Sequence, residues 1–141
     1  MSKKLSNLWI IDDDPMSSFY IKRLAELGEL AHIITIHNKA QGAIDYLLEH
    51  KKSDDHLPEV ILLDIYMPVL DGWGFLEKYN EIKTELSKPI SIYIISSSNH
   101  PKDYSKAEAF GDVQAYFEKP VTIEILKEMV SRVVDGSNHS D

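Results

Sequence analysis

No cysteine occurs among the 141 residues, which removes disulfide scaffolds, thiolate metal sites and cysteine nucleophiles together. Long apolar runs are also missing. No stretch approaches the roughly 20 residues of a membrane span. The apolar run behind the basic start Met1-Ser2-Lys3-Lys4 stops at Asp12, too early for a secretory signal. Basic side chains are the minority, 15 against 23 acidic ones, and they are scattered along a chain of net charge −8, a balance that repels nucleic acid. These absences predict a cytoplasmic protein that contacts neither nucleic acid nor membrane. At this length the chain is expected to form one domain with its own core and no need of a metal or disulfide staple.

The stretch around which the rest is organised runs from Pro58 to Gly72. Val60-Ile61-Leu62-Leu63 is an aliphatic run opened by a proline and closed by Asp64, the pattern of a strand buried on both faces that delivers one carboxylate to its carboxyl end. Met67-Pro68 then breaks the strand, and Asp71-Gly72 makes a turn before a helix starting near Trp73.

Taken in order, Leu8-Trp9-Ile10-Ile11 predicts a first strand ending in Asp12-Asp13-Asp14-Pro15. Asp14 then reads as an N-cap and Pro15 as the first turn of a helix whose apolar face is Phe19, Ile21, Leu24 and Leu27, stopping at Gly28. Residues 31–37 predict a second strand, and Asn38 is expected to cap a helix with Ala40, Ala43, Ile44, Leu47 and Leu48 on one face. A polar link from His50 to His56 precedes the organising strand. The helix after Gly72 is expected to turn Phe75, Leu76, Tyr79 and Ile82 inward. A fourth strand spans residues 89–95 and runs into Ser96. A weaker helix from about Pro101 to Phe110, a fifth strand from Gln114 to Glu118 and a last helix with Ile123, Leu126, Val130 and Val133 complete the chain. Ile125, Met129 and Arg132 form a second stripe on that helix, either part of a broad amphipathic face or a partner surface. Alternating strands and helices imply an α/β fold, one five-stranded parallel sheet doubly wound by helices. The expected organisation is an N-terminal segment 1–7, a domain 8–135 and a frayed tail 136–141.

In such a sheet the strand ends share one edge, so Asp12, Asp13, Asp64, Ser96 and Lys119 should converge there. Three carboxylates together repel unless a cation sits among them. Hard divalent ions take oxygen ligands and pair with phosphate, so magnesium is the expected cofactor and phosphoryl transfer the expected chemistry. One carboxylate would be the nucleophile, while Lys119 and Ser96 would balance and hold the transferred group. Ser97 is an alternative source of that hydroxyl. The six histidines are spread out and are expected to bind no metal.

The combination Ile-Ile-Asp12-Asp13, Leu-Leu-Asp64-Ile-Tyr-Met-Pro68-Val-Leu-Asp71-Gly72, Ile-Ile-Ser96-Ser97 and Phe-Glu-Lys119-Pro120 resembles the receiver domain of two-component response regulators, over about Leu8 to Val134. The resemblance implies the flavodoxin-like topology and makes Asp64 a phospho-acceptor served by a sensor histidine kinase or histidine phosphotransfer protein. It places Asp12, Asp13, Asp64 and the backbone carbonyl of Tyr66 around magnesium, with Lys119 as the lysine of the site. Ser96 and Tyr116 take the two switch positions, although plain packing explains Tyr116 equally well. The Lys119–Pro120 bond is commonly cis in this family. Output would pass through the face of the fourth helix, fifth strand and fifth helix to a protein partner, with a phosphorylation-linked homodimer as a further expectation. The protein would then be a single-domain signalling component, similar to the chemotaxis-regulator type, and not an enzyme beyond transfer and loss of its own phosphate.

Two departures from the family pattern stand out: the link before Pro58 is long, and Gly111-Asp112-Val113-Gln114 holds one residue more than usual before Tyr116. Asp14 extends the acidic pair to a triplet and is read as a cap. A competing reading takes Ile10-Ile11-Asp12-Asp13-Asp14 as the opening of a haloacid-dehalogenase phosphatase with Asp12 as nucleophile, but the chain is short for that fold.

Overall fold

The computed structural model describes residues 4–136. Its elements are β1 (Leu5–Ile11), α1 (Pro15–Leu27), β2 (Ala31–His37), α2 (Ala40–Glu49), β3 (Val60–Leu63), α3 (Gly72–Ile82), β4 (Ser91–Ser96), α4 (Pro101–Ala109), β5 (Val113–Glu118) and α5 (Ile123–Gly136). All five strands are parallel, in the order β2-β1-β3-β4-β5. This is the expected doubly wound α/β sheet. The chain leaves β1 for β2 on one side and returns to β3 on the other, so the strand order reverses between β1 and β3. That crevice is where open α/β sheets bind ligands.

Two apolar layers flank the sheet. Trp9, Ile11, Ile61, Leu63, Ile92 and Ile94 meet α2, α3 and α4 through Ala43, Leu47, Phe75, Leu76 and Ala107. Leu8, Ile10, Leu62 and Ile95 meet α1 and α5 through Ile21, Ala25, Leu126 and Met129. Every residue of β3 is buried, which is why its sequence shows no polar alternation. Each such side chain contributes about 1.5–3 kcal/mol of hydrophobic free energy.

Several local expectations are corrected. β1 begins at Leu5, three residues before the apolar run, because Leu5 is itself buried in the α1–α5 layer. On α1 the packed face is Ser18, Ile21 and Ala25, while Phe19 and Leu27 stand outside, 62% and 64% exposed. Asn38 does not cap α2; Lys39 takes that position without a side-chain bond. Asp14 caps α1 by accepting from Met16 N (3.1 Å), as expected. On α5, Met129 is buried and Ile125 packs against the same layer, so these two stripe residues form one edge of a broad apolar face, while Arg132 stays exposed and pairs with Glu128. The tail after Gly136 lies outside the described residues.

The extra residue before Tyr116 has a place in the sheet. Ile92 pairs with Val113 and Tyr93 with Ala115, so Gln114 is bulged out of register at the start of β5. From there the ladder is regular, with Tyr116 opposite Ile94 and Glu118 opposite Ser96. The long link before β3 folds as a surface loop in which His50 and His56 stack at 4.4 Å and Tyr46 stacks on His50 at 4.2 Å. Scattered in sequence, these histidines meet because the loop returns alongside the end of α2.

Candidate functional site

The sheet register carries the acids to one edge. Ile11 pairs with Leu63, the last residue of each strand, so Asp12 and Asp64 both begin the loops just beyond. Their own amides fasten those loops, Asp12 N donating to His37 O (3.0 Å) and Asp64 N to Ile11 O (2.9 Å). Both are buried, Asp12 to 2% and Asp64 to 8% of full exposure, while Asp13 is exposed. Carboxylate oxygens of Asp12, Asp13 and Asp64 all lie within 4.8 Å of one another. This acidic pocket could hold a metal ion, and an all-oxygen donor set beside a single lysine suits a hard divalent cation.

Lys119 reaches the same place from the far side. Its backbone N–H donates to Ser96 O at 2.7 Å, and its ammonium lies 3.0 Å from Asp12 and 3.8 Å from Asp64. The peptide bond to Pro120 is cis. One ammonium does not offset three carboxylates: burial pushes the Asp64 carboxyl up to about 6, against the pull of Lys119 and with the help of Asp12.

The turn after Asp64 is tied beneath it. Gly72 N donates to Ile65 O (2.9 Å), and a Cβ at Gly72 would lie 2.6 Å from both Asp64 O and Ile65 Cα. Only glycine permits that approach. Asp71 caps α3 by accepting from Gly74 N at 2.8 Å, which orients the whole Asp64–Gly72 segment. Within it Val69 takes a positive φ of 68° and is fully exposed.

Ser96 is completely buried at the end of β4, and its Oγ accepts from Ser98 N at 3.1 Å. Tyr116 is half-buried; its hydroxyl donates to Ser98 O (2.8 Å), and its ring lies 4.3 Å from that of Tyr104 on α4. Tyr66, two residues beyond Asp64, is 55% exposed, and its hydroxyl donates to Asp103 at 2.5 Å. The structure therefore brings Asp12, Asp13, Asp64 and Lys119 together, with Ser96 ending the strand next to β3. Asp103 and Ser98 escaped the sequence reading. Asp103 is a buried carboxylate in the first turn of a helix, and no local pattern sets it apart from an ordinary helix-start acid.

A model of the response regulator receiver domain matches residues 8–131. The chain belongs to the response regulator receiver family. Among curated relatives it is 27% identical over 125 residues to the probable methanogenesis regulatory protein FilR2 of Methanothrix harundinacea, covering 88% of this chain and 78% of the relative. It is 29% identical to the two-component response regulator ARR2 of Arabidopsis thaliana, covering 89% of this chain and 17% of that protein. Against the probable C4-dicarboxylate response regulator DctR of Halalkalibacterium halodurans it is 27% identical and spans 51% of the relative's length. Among solved structures, a two-component response regulator from Cytophaga hutchinsonii superposes with a TM-score of 0.85 at 26% identity, covering 94% of this chain and 99% of that one. A response regulator receiver protein from Dyadobacter fermentans gives 0.78 at 29%, covering 92% and 98%. Receivers are signalling domains and not classical enzymes. Among the described residues no helix is long and apolar enough to cross a membrane.

Proposed function

We propose that this receiver is a cytoplasmic response regulator domain that takes a phosphoryl group on Asp64 from a phosphohistidine of a sensor kinase or phosphotransfer protein. In that step an Asp64 carboxylate oxygen attacks phosphorus, the phosphorus–nitrogen bond breaks, and the released imidazole takes a proton from solvent. The observation that carries the proposal is the position of Asp64: a buried acid at the sheet edge, 3.8 Å from Lys119 and within carboxylate reach of Asp12 and Asp13. Asp12 is the weaker nucleophile, since one oxygen pairs with Lys119 at 3.0 Å and the other accepts from Asp14 N at 2.9 Å.

Asp12, Asp13, Asp64 and the backbone carbonyl of Tyr66 would hold magnesium, which when bound neutralises carboxylate and phosphoryl oxygens. Lys119 supplies a second positive charge, at the developing charge of the transferred group. The Ser96 hydroxyl, released from Ser98 N–H, would follow the phosphoryl group, and Tyr116 would respond through Ser98, biasing a two-state equilibrium of the α4–β5–α5 face. Output is then contact with a partner protein or a second copy of the chain. The test is intact mass after incubation with acetyl phosphate, with and without magnesium. One added phosphoryl group that requires magnesium supports the reading, and uptake that ignores magnesium contradicts it.

A further inference from the structure

Ser98 is bonded through every polar atom it has. Its N–H donates to Ser96 Oγ (3.1 Å), and its carbonyl accepts from Tyr116 Oη (2.8 Å). Its own hydroxyl donates to Asp103 (2.5 Å) and accepts from His100 N (3.2 Å). The same Asp103 oxygen accepts the Tyr66 hydroxyl at 2.5 Å, across 37 residues of sequence. One buried carboxylate thus ties the loop after β3 to the first turn of α4 and, through Ser98, to both Ser96 and Tyr116. Two hydroxyl donors hold the Asp103 carboxyl below the ordinary range, Ser98 more than Tyr66. Charge-assisted hydrogen bonds of this kind are about twice as strong as neutral ones. The helix that Asp103 anchors is poor in buried residues, Asp103 and Ala107 on α4, and its other ties are the Tyr104 ring against Tyr116 and the Lys106 ammonium 4.9 Å over the Trp73 ring.

We propose that Asp103 is a positioning residue, the centre of a latch Tyr66–Asp103–Ser98 that holds α4 and the two switch side chains in the observed arrangement, with the Ser96 Oγ held by Ser98 N–H. The inference rests on the receiver reading for the meaning of that arrangement. The latch opposes activation because the Ser96 oxygen, although its O–H stays free to donate, cannot move toward a group on Asp64 without giving up the bond it accepts from Ser98 N–H. Any movement of Ser98 that frees it also strains the bonds to Tyr116 and Asp103. Opening the latch therefore releases all three tethers together, which makes the response closer to all-or-none. Tyr66 is the exposed arm, so a partner or solvent can reach the latch without entering the core.

Tyr66→Phe removes one arm and leaves the backbone carbonyl and the core intact, and Ser98→Ala removes the other. Hydrogen exchange across residues 97–109, measured without ligand, should quicken about tenfold in Tyr66→Phe, the effect of one lost hydrogen bond to a charged acceptor. Affinity for beryllium fluoride with magnesium, a mimic of the phosphorylated state, should rise about three- to tenfold in the same variant. In an Asp103→Asn background, where the acceptor is neutral, the Tyr66→Phe change should add little, the signature of action through Asp103. Unchanged exchange, or a mimic affinity that stays level or falls, overturns the latch. Full additivity with Asp103→Asn does the same. A wild-type protein that does not take the mimic overturns the acceptor reading instead, and the exchange comparison then decides the latch by itself.

Discussion

The half of the receiver built on β1, β3 and β4 differs from the half built on α4 and β5. In the first, the strands are buried almost throughout, and the acids follow directly where the ladder stops. Packing holds that half, and its charges sit on a rigid edge. In the second, β5 is only partly covered and bulged at its start, and α4 buries a carboxylate and an alanine. Fewer apolar contacts hold it, together with the hydrogen bonds of Ser98 and Asp103. A core that is close-packed does not move by small steps, whereas a few directional bonds can be exchanged for another set. The molecule thus places its proposed chemistry where displacement is expensive and its proposed response where displacement is cheap.

The largest expected effect belongs to the rigid half. Asp64→Asn should abolish phosphoryl uptake from acetyl phosphate, read by intact mass, while the fold and its circular dichroism stay unchanged. Next comes a paired glycine test of the contrast itself. Gly72→Ala should cost about 2–3 kcal/mol in urea unfolding, because its Cβ would meet backbone at 2.6 Å. Gly111→Ala, between α4 and β5 with nothing within 4 Å of the new Cβ, should change stability by no more than about 0.5 kcal/mol. Equal costs would erase the distinction between the two halves.

A pH prediction follows from the buried acid. The folded-state Asp64 carboxyl lies at about 6, above its ordinary 3.8, so between those values the folded state binds more proton than the unfolded one. Metal-free stability should therefore fall as pH rises from about 4 to about 6, by on the order of 2–3 kcal/mol from this group. Asp64→Asn should remove that part of the slope and raise metal-free stability above pH 6. A slope that is unchanged in the variant would mean that Asp64 carries no such penalty. Smaller still, Asp13→Asn should raise metal-free stability by about 0.5–1 kcal/mol, given its exposure, and remove most of the stabilisation that magnesium gives, both read as shifts in melting temperature.

The sequence was legible where packing decides and opaque where long-range hydrogen bonds decide. Val60 to Leu63 could be read as a buried strand because burial on both faces leaves a continuous aliphatic run, and the acid after it followed. Phe19 and Leu27 were misplaced because helical periodicity identifies a stripe of apolar residues without saying which of two neighbouring stripes the sheet will cover. Asn38 failed as a cap because the helix starts one residue later, with Lys39 in that position. The bulge at Gln114 was visible only as a surplus residue, since its place depends on β4. Asp103 was invisible for a different reason: its meaning depends on Tyr66, 37 residues away, and on a serine that looked like loop composition.

The central claim is that this receiver carries phosphate on the acid that ends β3. Reduction of the freshly phosphorylated protein with borohydride converts an acyl phosphate to a stable alcohol at the modified residue, which peptide mass mapping then locates. Reduction at Asp64, absent when magnesium is withheld, is the predicted result. Reduction at Asp12, with Asp64 unmodified, would contradict the account and turn the same pocket into that of a phosphatase.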